Sequence, residues 1–227
     1  MTLYLADASA VEYWRRADPS AKTRARAATP FGQDRETPPF SASDLAALEE
    51  AGVGWLSEPI HLLVPDASSR RRCKRTKLHV CSHRLPERSF VKLSRHVMVA
   101  SPELTCLSIA PSTPFPLLVE FLYELCGRYR LPDGRGGDAT ELPPATTVAG
   151  IERFADKARG VRGAADVKRA LRYACDNSLS PMETDIAETM VFDPRMGGFG
   201  LEKPQLNPRF EVTRKNRRAL PQSGYLP

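Results

Sequence analysis

No Cys-x-x-Cys pair occurs in this sequence, and its five cysteines, Cys73, Cys81, Cys106, Cys126 and Cys175, are odd in number and scattered. That pattern argues against a disulfide framework and a zinc ribbon, and predicts reduced thiols and no structural metal. No stretch approaches the roughly 18 apolar residues that read as a membrane span. The opening Met-Thr-Leu-Tyr-Leu-Ala-Asp also lacks the basic flank and apolar run of a signal peptide. A cytoplasmic protein with no membrane partner is therefore expected. Equally absent are GxSxG, a phosphate-loop lysine motif and HExxH. The glycine clusters Gly134 to Gly137 and Gly197 to Gly200 read as turns, because neither sits between a strong strand and a helix.

What is present is unevenly placed charge. The chain has 227 residues, enough for a substantial core, and a net charge of +6. Seven Lys or Arg and no acid lie between Ala67 and Pro86, which leaves 26 basic against 27 acidic residues elsewhere. A second excess, five basic residues against Glu211 alone, runs from Arg209 to Arg218. Concentrated charge attracts polyanions far better than the same charge dispersed.

The spacing predicts an α/β (α+β) chain. Leu3 to Leu5 is a short strand, and Ser9 with Glu12 has capping-box spacing for a helix through Trp14. Residues 17 to 42 have little periodicity, and Ser43 to Glu50 is a second helix closed by Gly52. Ile60 to Val64, Lys77 to His83, Phe90 to Leu93 and His96 to Ala100 are runs rich in branched residues, so a small antiparallel sheet is expected. Ser101-Pro102 opens a helix through Ile109, and another runs from Pro116 to a stop at Gly127. Pro132 to Thr146 is the expected linker between an N-terminal region, 1–131, and a C-terminal one, 147–227. In the latter, Thr147 to Ala158 and Ala164 to Cys175 have helical periodicity.

Two groups of residues could carry chemistry in the sheet region. Arg70, Arg71, Arg72, Lys74, Arg75 and Lys77 form a loop entering a strand, and guanidinium and ammonium groups there would contact phosphate. The bland alternative is a solvated loop, since no aromatic stacking platform lies nearby. His79, Cys81 and His83 alternate along one strand and would share a face. Closed zinc sites draw their ligands from separated elements, so a plain solvent-facing row is the preferred reading.

The stretch Ser180-Pro181-Met182-Glu183-Thr184-Asp185-Ile186-Ala187 reads as a capped helix, with Glu183 completing a capping box and Met182, Ile186 and Met190 as its buried stripe. With Gly197-Gly198-Phe199-Gly200-Leu201-Glu202-Lys203-Pro204-Gln205-Leu206-Asn207 it resembles the opening of the nuclease-like domain of very-short-patch-repair-related proteins in the PD-(D/E)xK superfamily. The resemblance covers about the last fifty residues. It implies that Glu183 is the helix glutamate of a metal site, that Gln205 is the polar residue before the first core strand, and that Asn207 to Val212 is that strand. The family's Asp and Glu-x-Lys would follow, but no carboxylate follows Glu211. Magnesium is therefore implied only for a complete family member, with Glu183 here a catalytic remnant and no cofactor expected.

A second segment, strands with Arg72 followed by Val97-Met98-Val99-Ala100-Ser101-Pro102-Glu103-Leu104-Thr105-Cys106-Leu107, is similar to the C-terminal region of abortive-infection type IV antitoxins. Ser108 stands where that family has an aspartate. Together the resemblances imply a DNA-associated protein that does not cleave DNA by itself. The alternative is an antitoxin-like regulator whose basic loop binds the acidic surface of a protein partner.

Overall fold

The computed structural model describes residues 2–19, 26–27, 31, 40–66, 73–132 and 136–208. Strand β1 (Leu3–Leu5) buries both leucines and lies at the centre of the sheet. Beside it run β3 (Ile60–Val64), antiparallel, and β6 (Val97–Ala100), parallel. Beyond β3 lies β4 (Thr76–Val80), parallel to it, and beyond β6 come β5 (Phe90–Lys92) and β2 (Arg26–Ala27), each antiparallel to its neighbour. The six strands are thus ordered β2-β5-β6-β1-β3-β4.

The architecture is the expected α+β, but the sheet is mixed, not purely antiparallel. The per-residue preference for antiparallel pairing is small, so residue type in short strands leaves direction to the connections. Here β4 runs parallel to β3, with Ile60 facing Thr76 and Val64 facing Val80. A small ribbon, β7 (Tyr129–Arg130) with β8 (Thr140–Glu141), completes the strands.

Helix α1 (Asp7–Arg16) starts directly after β1, two residues before the expected Ser9 cap. Ser9 is inside the helix, where its hydroxyl accepts a hydrogen bond from the His61 N–H at 2.9 Å. Helix α2 (Ala42–Glu50) has Ser41 as its N-cap, with the Asp44 carboxylate accepting from the Ser41 N–H. Ser101 caps α3 (Pro102–Ile109) by accepting from the Leu104 N–H. Every α3 residue but Ser108 is buried, and the helix packs on α1, α4 (Phe115–Cys126), α5 (Val148–Lys157) and α6 (Ala164–Ala170). Its buried polar side chains are hydrogen-bonded there, Thr105 Oγ1 donating to the Ser101 carbonyl and Glu103 Oε1 accepting from Thr146 Oγ1. Gly163 lets α6 come so close: it has φ +90°, and a Cβ there would lie 2.1 Å from the Leu107 carbonyl oxygen.

The expected linker joins no separate bodies. Within it β8 pairs with β7, and the Ala145 N–H donates to the Leu125 carbonyl. Arg130, fully buried, donates to the carbonyls of Glu124, Tyr129 and Pro143. Leu107 and Leu122 from one side share a single hydrophobic cluster with Ile151 and Val167 from the other. The later part of this segment is thus tied to the core by the β7–β8 pairing, the Ala145 contact and the Arg130 bond to the Pro143 carbonyl.

Helix α7 (Pro181–Val191) is also turned from its expected face. Met182 and Ile186 are 71% and 57% exposed, whereas Thr184, Ala187, Glu188 and Val191 are buried. The Thr184 hydroxyl is hydrogen-bonded to Tyr129 Oη at 2.9 Å and Ser178 Oγ at 2.8 Å. Satisfied polar groups, not the larger apolar side chains, set the rotation of this helix. No helix among the described residues is long and apolar enough to cross a membrane.

Candidate metal-ligand cluster and basic sheet edge

Strands β3 and β4 bring His61 and His79 together. In the parallel ladder Leu63 is the partner of His79, so the two histidines sit diagonally on one face, with ring centroids 5.0 Å apart. His79 Nε2 lies 3.0 Å from His61 Nδ1, and His61 Nδ1 lies 2.9 Å from Asp7 Oδ1. Asp7 reaches them from the first turn of α1, with a left-handed backbone (φ +50°) and its Oδ1 accepting from the Ala8 N–H at 2.9 Å. Burial pushes the Asp7 carboxyl up, but the His61 hydrogen bond, the His79 charge and the Ala8 N–H together hold it below the usual value. It is a carboxylate at neutral pH.

The backbone clamps this arrangement. The Ala6 N–H donates to the His61 carbonyl at 3.0 Å, and the His61 N–H to Ser9 Oγ, so the β1–α1 junction and β3 are fixed to each other. Asp7 also stands on the rim of a groove of about 1220 Å³ that runs between α1, α4 and α7. On its far wall the buried Glu124 carboxylate accepts from Arg15 Nε and Nη2 and from the Leu131 N–H.

The sequence pattern had joined His79 to Cys81 and His83 instead. β4 ends at Val80, so Cys81 and His83 follow the strand and do not continue its alternation. The Cys81 thiol is directed to the His83 carbonyl. All five cysteines are free. Among the described residues, Asp7, His61 and His79 are the only three His, Cys, Asp or Glu side chains close enough to share a metal ion.

Of the six basic candidates, Arg70, Arg71 and Arg72 lie outside the described residues. Lys74 and Lys77 are exposed at β4, the outer strand of the sheet. Arg75 is exposed too, but its Nε and Nη2 donate to Glu58 Oε1 at 2.8 and 2.5 Å, and this contact lowers the Glu58 carboxyl's pKa.

Glu183 has a structural task. Its own N–H donates to Ser180 Oγ, while its carboxylate accepts from the Leu179 N–H at 2.6 Å and the Asn207 side-chain amide at 2.9 Å. The carboxylate thus returns to Leu179, one residue before the cap, and belongs to no three-ligand group among the described residues. These residues do not fit a magnesium site of the resembled kind. Gln205 is exposed beside Lys203, whose ammonium donates to the Leu171 and Ala174 carbonyls at 3.2 Å. Asn207 and Pro208 are not in a strand, and the rest of the expected strand, 209–212, lies outside the described residues, as does the basic excess at 209–218.

Asp7 and His61 were missed because they are 54 residues apart and come from different elements. The one available signal was two neighbouring strands, Ile60–Val64 and Thr76–Val80, each carrying a single histidine. Comparison with known protein families, curated proteins and solved structures finds no match to this chain.

Proposed function

We propose that this chain is a nucleic-acid-associated protein of the antitoxin and repair-endonuclease-like group, acting by binding in a reducing cytoplasm and not by cleavage at Glu183. The observation that carries the reading is the outer strand of the sheet. Lys77 is exposed on β4, Lys74 and Arg84, exposed as well, flank that strand, and Arg70 to Arg72 precede it in the sequence. A lysine on an outer strand, such as Lys77, also discourages edge-to-edge pairing. One or two charges are enough for that, whereas a segment with seven basic residues and no acid, of which only Arg75 is paired to an acid from elsewhere, Glu58, among the described residues, supplies a field suited to phosphate.

Competition separates a phosphate ligand from an acidic protein surface. Labelled duplex DNA bound to the chain is displaced by unlabelled duplex and by polyglutamate, compared at equal total charge. Duplex DNA should compete far better, because its phosphates, one per roughly 1.7 Å of helix axis, release a denser counterion atmosphere and match guanidinium geometry. Equal competition would favour the protein partner and overturn the reading.

A further inference from the structure

We propose that Asp7, His61 and His79 bind one divalent transition-metal ion of the zinc type, leaving its fourth position to water or an exogenous ligand. This rests on the side chains themselves and does not depend on nucleic-acid binding.

The hydrogen-bonding arithmetic points to a cation. His61 Nδ1 has a single in-plane position, yet lies within hydrogen-bond distance of both Asp7 Oδ1 and His79 Nε2. If Nδ1 carries its proton, that one hydrogen is divided between two acceptors. If it does not, it can accept from His79 but then turns a lone pair towards the carboxylate. A metal ion receives lone pairs from all three atoms at once.

The dimensions agree. Zinc bonds of roughly 2.0–2.1 Å in tetrahedral geometry place neighbouring ligand atoms about 3.3 Å apart. The two contacts at His61 are 2.9 and 3.0 Å, and all three ligand atoms lie within 4.8 Å of one another. Opening the His61 contacts by a few tenths of an ångström and turning His79 inward would complete the set.

Two imidazole nitrogens and one carboxylate oxygen suit zinc, cobalt, nickel or copper, whereas magnesium and calcium prefer all-oxygen shells. The three residues come from separate elements, as zinc ligands usually do, and Asp7 and His61 are held before any ion arrives. Asp7 is fixed by the Ala8 N–H, and His61 by its backbone bonds to Ala6 and Ser9. The β3–β4 register sets the His79 backbone beside them, with its Nδ1 3.7 Å from Asp7 Oδ2. The left-handed backbone at Asp7 fits this reading, since such strain persists where the surroundings enforce it. Three protein ligands leave a position open, and Asp7 lies on the groove between α1, α4 and α7, from which water or a small ligand can reach the ion.

The test uses the full chain, stripped with a chelator and titrated with Co²⁺, following the visible d–d absorption and then displacement by Zn²⁺. One ion per chain is expected. His61→Asn and His79→Asn should each weaken binding by at least about 100-fold, beyond the 10–100-fold typical of supporting residues. Asp7→Asn, which keeps the side-chain shape, should do the same, and guards against a histidine variant that fails to fold. The double variant Cys81→Ser, His83→Asn should bind like the parent. No saturable binding, or binding lost only in the Cys81/His83 variant, would overturn the assignment.

Discussion

His79 Nε2 stands 3.0 Å from His61 Nδ1 although eighteen residues separate the two histidines. The parallel pairing of β3 and β4 creates that proximity, and Asp7 completes it. An ion held only by the folded chain stabilises it by mass action, about 2.7 kcal/mol at a free concentration 100 times the dissociation constant. Thermal unfolding should therefore shift upward on adding Zn²⁺ and return on chelation in the parent chain. In Asp7→Asn the midpoint should not respond.

The Arg15–Glu124 pair joins α1 to α4 with the carboxylate almost fully buried. Glu124→Ala would leave the Arg15 guanidinium and the Leu131 N–H without their acceptor. A loss of about 3–5 kcal/mol is expected in urea unfolding, as for other broken buried pairs. A change below about 1 kcal/mol would show that water replaces the carboxylate at little cost.

On α7, Met182 and Ile186 face solvent while Val191 is buried. Met182→Ser and Ile186→Ser should each alter stability by no more than about 0.5 kcal/mol, and Val191→Ala should lower it by about 1–3 kcal/mol. The reverse order would restore the apolar stripe expected from the sequence.

Much of the fold was legible locally. The Ser101 cap, the stop at Gly127 and the strands Leu3 to Leu5 and Ile60 to Val64 follow from spacing and residue type alone. Strand direction was not, because β1 pairs with β6 some ninety residues away and nothing in Leu-Tyr-Leu encodes that choice. The rotation of α7 was hidden for a related reason. Apolar periodicity favoured Met182 and Ile186, while the deciding partners, Tyr129 and Ser178, lie outside the helix. The candidate metal site combines both kinds of information, and the alternation that suggested Cys81 and His83 failed because the strand ends at Val80.

Thiol chemistry separates the five cysteines by burial. Burial pushes the thiols of Cys106 and Cys126 well above the ordinary range, while Cys73 and Cys81 are only partly buried. Since the thiolate is the reactive form, a disulfide reagent at neutral pH should modify Cys73 and Cys81 in the native chain and reach the others only on unfolding. Burial also raises the Cys81 thiol, so it should react more slowly than in the unfolded chain. Rapid modification of Cys106 in the native state would mean that α3 opens far more readily than its packing suggests.

The most direct test of the central claim is the salt dependence of duplex DNA binding. Each neutralised phosphate contributes about −0.9 to the slope of log affinity against log salt, so a sheet edge engaging most of the residues from Arg70 to Lys77 should give a slope of roughly −4 to −5. Replacing Lys74 and Lys77 by alanine should flatten it by about 1.8, and replacing Arg70, Arg71 and Arg72 by about 2 to 3. A parent slope near zero, or an unchanged slope in both variants, would contradict the account.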